Sequence, residues 1–207
     1  MGGDCAYHSA MNTDRTVSPG NTNEILAFWF GEGDEHGKRR VEWFKKDAAF
    51  DDEIRTRFLA TYELAAAGGL DHWKKNAHGC LALIVLLDQF PRNMFRGTPR
   101  AFAADVLARE ATRHALANGF DAGLKPVERQ FIYLPLEHSE TLPDQEQCLK
   151  LMQALAPFDE TREIHIWAEK HLVIIRRFGR FPHRNAALGR ASTVEEIEFL
   201  KQPGSGF

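Results

Sequence analysis

Three cysteines in 207 residues, Cys5, Cys80 and Cys148, are too few and too widely spaced for a disulfide framework or a zinc knuckle. Cys80 and Cys148 fall in apolar patterns and read as small core residues, which fits a reducing, cytoplasmic setting. No apolar run approaches the roughly twenty residues that span a bilayer, so no membrane association is expected. Net charge is also small. Lys and Arg number 26 against 29 Asp and Glu, a balance of -3 that gives no overall attraction to nucleic acid. The chain has no glycine-rich phosphate loop, no GxSxG elbow and no HExxH pair, which removes the common nucleotide, serine-hydrolase and zinc-protease readings. Ser139 beside His138 is therefore not read as a nucleophile. His165, Glu169 and His171 share a helix but not a face, and neither a metal nor a cofactor is expected.

Strand signals are nearly absent as well. What the chain has in quantity is helix punctuation. Asn23, Asp51, Asn76, Thr98-Pro99 and Asp159 can each open a helix, and Ser192-Thr193-Val194-Glu195 reads as a capping box. Gly31, Gly68-Gly69, Gly119 and Gly179 can each close one. Helices are expected over Glu24–Phe30, Asp51 to Gly68, Asn76–Leu87, Thr98–Asn118, Lys125–Glu140, Leu142–Ala156, Asp159 to Gly179 and Ser192–Lys201, with Lys38–Lys46 a further short apolar stretch. Ala101, Ala104, Ala108, Ala111 and Ala115 would give one helix a narrow face for close approach, with Asp105 beside it. Fifteen Phe and four Trp supply large rings for a core. The expectation is a single all-α domain of eight or nine helices, of α-solenoid or tetratricopeptide-like design, with no repeat of about 34 residues. The helical domain is placed at 21–202. A polar, disordered tail is expected over 1–20, with Met11 an alternative start, and a short tail over 203–207.

Two stretches echo each other. Gln89–Gly97 and Phe178–Arg190 each follow an apolar run and each gives an aromatic, a proline, an arginine and an asparagine: Phe90-Pro91-Arg92-Asn93 and Phe181-Pro182-His183-Arg184-Asn185. Pro91 and Pro182 lack an N–H and disfavour helical geometry at Phe90 and Phe181, so each helix is expected to end there. From Gln89 to Arg100 there are three arginines, and from Arg176 to Arg190 five, with no lysine and no acid in either stretch. Arginine alone points to use of its planar donor fork, on carboxylates or on a bound anion.

A third stretch, Arg129–Glu140, puts Arg129, Tyr133, Glu137 and Glu140 on one polar stripe and ends an apolar stripe with His138. Pro135 inside it should kink the helix and free a carbonyl. Glu137 and His138 are the acid–base candidates. The plainer alternative is a core histidine bonded to backbone and a glutamate paired with an arginine. His183, among arginines, is expected to stay neutral.

Phe28-Trp29-Phe30-Gly31, Leu87–Asn93, Tyr133–Glu140 and Phe178–Arg190 with Ser192-Thr193 together resemble the signature stretches of the bacterial family known as domain of unknown function 924. The resemblance covers about Glu24 to Leu200. It implies an all-α fold related to tetratricopeptide-like helical domains and implies no activity.

Three functional readings follow. In the first, a small anionic ligand, phosphate or carboxylate, is bound by residues drawn from Asp88, Gln89, Arg92, Asn93, Arg96, Arg129, Tyr133, Arg180, His183, Arg184 and Asn185. Glu137 and His138 would then support hydrolysis or group transfer. In the second, the helices form a scaffold for a peptide or protein partner. In the third, the arginines are struts that pair with Asp88, Asp105, Glu128, Glu137 and Glu140. Whether the corners and the Glu137 helix meet at one place decides among them. Whether the protein is an enzyme, and its oligomeric state, stay open at this point.

Overall fold

The structure is a computed structural model that describes residues 20–206. Cys5 and almost all of the expected 1–20 tail lie outside the described residues. Helix is the regular structure of those described, with no strand among them. The α-helices are α1 (Thr22–Phe30), α2 (Ala48–Ala66), α3 (Ala77–Ile84), α4 (Phe90–Met94), α5 (Asp105–Ala117), α6 (Pro126–Glu137), α7 (Leu142–Gln153), α8 (Ile164–Phe178) and α9 (Val194–Leu200). From α5 to α8 each helix packs on the next, and α3 packs on α1, α5 and α6, which gathers the helices around a shared core. No described helix is long and apolar enough to cross a membrane.

Several starts use the expected capping chemistry. The Asn76 side chain accepts from the Gly79 N–H, satisfying one of the free donors at a helix start. Others shift by a residue or more. Asn21, not Asn23, caps α1 through the Glu24 N–H, and Asp47, not Asp51, caps α2. Asp51 is thereby released to bind Asn93 and Arg96. Thr98 does not cap a long helix. Its hydroxyl donates to the Phe95 carbonyl, a 3-10 turn spans Pro99–Phe102, and α5 begins only at Asp105. The Lys38–Lys46 stretch holds only a 3-10 turn, Val41–Trp43. The last capping box is one register later than the sequence suggests. Thr193 accepts from the Glu196 N–H, and Glu196 accepts from the Thr193 N–H.

The core is aromatic near α1. Trp29 lies 5.6 Å from Phe90 and 5.7 Å from Phe131, both edge-on, and Phe90 lies 4.8 Å from Phe58. Phe90 is fully buried, so the first corner is anchored by burial worth about 2–3 kcal/mol. Phe181 anchors the second corner in a smaller cluster with Ile174 and Ile175.

The two prolines act differently. Pro182 behaves as expected: α8 stops at Gly179, whose φ of 68° is left-handed, and Phe181 is extended. Pro91 does not end its helix at Phe90, which keeps helical angles of φ -58° and ψ -38°. The chain widens beforehand into a π turn over Val85–Gln89, closed by the Phe90 N–H on the Val85 carbonyl. Pro91 then stands in the first turn of α4, where an N–H has no partner to miss. The wide turn keeps the rod continuous and buries Asp88 and Gln89.

Two outcomes test this packing. Ala108 is fully buried on α5, which packs against α3 and α6. Ala108→Leu should cost about 1–3 kcal/mol in urea unfolding, by forcing the helices apart; an unchanged midpoint would mean the approach is loose. Thr193→Ala should cost about 1 kcal/mol and Glu195→Gln only a fraction of that. The reverse ranking would place the cap at Ser192.

Candidate functional site

Four elements bring side chains to one place. The π turn supplies Asp88, α4 supplies Arg92, the end of α6 supplies Glu137 and His138, and the turn after α8 supplies Arg184. Asp105, at the start of α5, joins them. Its Oδ1 lies 3.1 Å from Arg92 Nη1 and its Oδ2 accepts from Arg184 Nη1 at 3.3 Å. The two proline corners, 91 residues apart in register from Phe90 to Phe181, are thus tied to one carboxylate. Arg92 Nη1 also donates to the Asp88 carbonyl.

Arg184 is held by its faces as well as its edge. Phe102 and Phe181 lie 4.7 and 4.6 Å from its guanidinium carbon. Both guanidiniums keep unused donors: Arg92 Nη2 and Arg184 Nε are buried with no hydrogen-bond partner among the described residues. A buried N–H without an acceptor is costly, so each such atom calls for a reason. Burial, then the nearby charge of Arg92, brings the Arg184 pKa down to about 10.

His138 and Asp88 form a dyad. The Asp88 carboxylate lies 2.8 Å from His138 Nδ1, and its other oxygen accepts from Gln89. Burial pushes the Asp88 pKa up, but Arg92 and His138 outweigh it and hold the carboxyl well below the usual range. Burial and Arg92 lower the pKa of His138, so the imidazole is neutral near pH 7. With Nδ1–H donated to Asp88, its Nε2 is an acceptor, and it has no hydrogen bond among the described residues. The side chain keeps 14% exposure.

Glu137 is not paired with an arginine. It is buried, and the ionisable side chain it meets is His171, whose Nδ1 lies 3.5 Å away and is already placed to donate to the Trp167 carbonyl. Burial first, and the negative charge of Asp88 second, push its pKa up to about 8. Burial brings His171 down to about 3 and, with Arg184, brings His183 down to about 4. The plainer alternative fails in both details: His138 binds a carboxylate rather than backbone, and Glu137 has no guanidinium.

The remaining residues of the sequence-based set go elsewhere. Asn93 and Arg96 bind Asp51 on α2. Tyr133 donates to Asp121 and accepts from Arg129, away from the corners. Arg180 and Asn185 bind Glu196, and Arg190 forms a two-bond pair with Glu140. Glu128 binds His36. Most arginines of both corners are therefore struts, and only Arg92 and Arg184 converge on the dyad. Asp105, Phe102 and Phe181 were not among the expected ligand residues. Asp105 had a signal in its place beside the alanine stripe; Phe102 had none. Ser139 donates to Asp144. Two surface cavities, of about 640 and 200 Å³, lie apart from this cluster, beside Arg57 and beside Arg162. Among the described residues no three His, Cys, Asp or Glu side chains are placed to hold a metal ion.

No functionally curated protein matches the chain. A solved structure of a protein of unknown function from Agrobacterium tumefaciens is similar over 87% of this chain and 96% of its own, with 41% sequence identity and a TM-score of 0.76. The family model described as bacterial protein of unknown function (DUF924) matches residues 25–204, and the chain belongs to that family.

Proposed function

We propose that the cluster around Asp105 is a binding site for a small anionic ligand, a carboxylate or phosphate compound, with acid–base capacity on the adjoining helix. The observation that carries the reading is the pair of buried guanidinium N–H groups, Arg92 Nη2 and Arg184 Nε, left without acceptors beside an oriented imidazole. An oxyanion accepts from both and so removes the cost of leaving them unmade. His138 Nε2 is a neutral base held in one tautomer by Asp88. Glu137 is a neutral acid at pH 7. Two neighbouring groups whose environments favour opposite proton roles suit hydrolysis or group transfer, with water or a second substrate as nucleophile. Asp105 supports a second reading, in which Arg92 and Arg184 are struts like Arg190 and Arg180, and the helices serve as a scaffold for a peptide or protein partner.

Thermal unfolding with added sulfate, phosphate and succinate separates the two. A ligand site gives a melting temperature that rises with the logarithm of anion concentration, equivalent to about 2.7 kcal/mol at one hundred times Kd. Arg92→Lys should lose that rise, because lysine keeps the charge and loses the fork. No rise with any anion, together with destabilisation by Arg92→Lys, would leave the struts alone standing.

Glu137 gives a sign test. Its folded pKa of about 8 lies above the ordinary value of 4.5, so between those pH values the folded chain holds a proton that the unfolded chain has released. Stability therefore falls as pH rises through that window. Glu137→Gln mimics the protonated form and should gain on the wild type as pH rises from 5 to 8, by about 1–3 kcal/mol at the upper end. A loss at pH 7 would mean that Glu137 is an ionised structural partner.

A further inference from the structure

The charges of the cluster set a condition on any anion that enters it. Arg92 and Arg184 carry two positive charges, and Asp88 and Asp105 carry two negative ones, within ion-pair distance of each other. Burial keeps Glu137 neutral at pH 7 and His171 and His183 uncharged. The fixed charges already cancel. A bound anion adds a negative charge that no residue of the cluster offsets, in a region where charges are poorly screened.

Further neighbours are also committed. Glu140, beside the second corner, is spent on Arg190 and on the Phe181 N–H. Asp144, on α7, is spent on Ser139 and Arg113. Facing His138 are Asp88 from the π turn, Arg92 from α4, Arg184 and His183 from the turn after α8, and His171 from α8, its ring 6.4 Å away. Burial opposes protonation of the imidazole most, Arg92 and Arg184 oppose it further, and Asp88 favours it. An anion seated on the free donors of those two arginines cancels their opposition. His138 Nε2, unbonded among the described residues and on a side chain that keeps some exposure, is the atom that can then accept a proton.

We propose that the site takes up a small oxyanion together with one proton, which His138 Nε2 receives from solvent, so that ligand binding is proton-coupled. The inference rests on the anion-site reading above and adds the ligand's charge requirement to it. A singly charged oxyanion plus one proton restores neutrality. A dianion plus one proton does not, so a monoanion such as a carboxylate suits the site better than a fully ionised phosphate. Binding and protonation then assemble an imidazolium beside the bound oxyanion, the arrangement a proton donor to a leaving oxygen requires.

Isothermal titration of the full chain with acetate and with sulfate tests this, since neither probe changes charge between pH 6.5 and 8.5 to any useful extent. Titrations in two buffers of different ionisation enthalpy read the proton exchange directly. The expected result is uptake of about one proton per acetate bound at pH 7.5, and a Kd that weakens about tenfold per pH unit above neutrality. His138→Gln should bind acetate without proton uptake and with a flat pH profile. Binding with equal heats in both buffers and a pH-independent Kd would overturn proton coupling and leave the anion site standing. Uptake that survives in His138→Gln would overturn the assignment to that imidazole. Absence of binding by both probes across this pH range would overturn the anion site itself, and this inference with it.

Discussion

Two buried guanidiniums cannot lie side by side without a carboxylate between them, and Asp105 is that carboxylate. Its two oxygens take Arg92 from the first proline corner and Arg184 from the second. At low dielectric the repulsion between two such cations would cost several kcal/mol without it. The close packing of α5 makes the position possible. Ala104, Ala108 and Ala111 are buried to within 2% exposure, so the helix that carries Asp105 lies tight against its neighbours and its first turn enters the cluster. The alanine stripe and the charged cluster are one design: small side chains bring the backbone in, and the residue at the helix start meets both corners.

The fold was legible because its signals are local. Caps, glycine stops and three/four-residue apolar spacing are written within one or two turns of where they act. The errors are local too. Asn21 and Asp47 outcompeted Asn23 and Asp51 as caps, and each shift released a side chain. Asp51 used its release to hold Asn93 and Arg96, residues that had looked like ligand groups. The Pro91 corner was misread for a different reason. A proline is incompatible with an ordinary helical hydrogen bond, but the chain has a second way to satisfy that constraint. It widens by one π turn instead of stopping.

The site was only half legible. Arginines without lysines signalled use of the guanidinium fork, and the structure bears out that much: Arg96 pairs with Asp51, Arg180 with Glu196 and Arg190 with Glu140. Sequence could not say which arginines would share an acceptor, because Arg92 and Arg184 meet through Asp105, 79 residues from Arg184. It also could not choose a partner for Glu137. The stripe logic joins Arg129 to Tyr133, but Tyr133 turns on to Asp121, and Glu137 is left buried with the charge of Asp88 nearby.

That isolation separates Glu137 from the struts. Asp51, Glu140 and Glu196 are each held by a guanidinium, and all three have pKa values below the usual range despite burial that pushes the other way. Glu137 has none, and its pKa moves in the opposite direction. His138, on the next residue, has a carboxylate on Nδ1 and an open Nε2. A fold selected only for rigidity gains little from two buried guanidinium N–H groups without acceptors, since apolar side chains of similar volume are at least as stabilising there. Groups that weaken a fold and sit together are what the proposed anion site rests on, because a bound oxyanion would give those donors the acceptors that the fold does not.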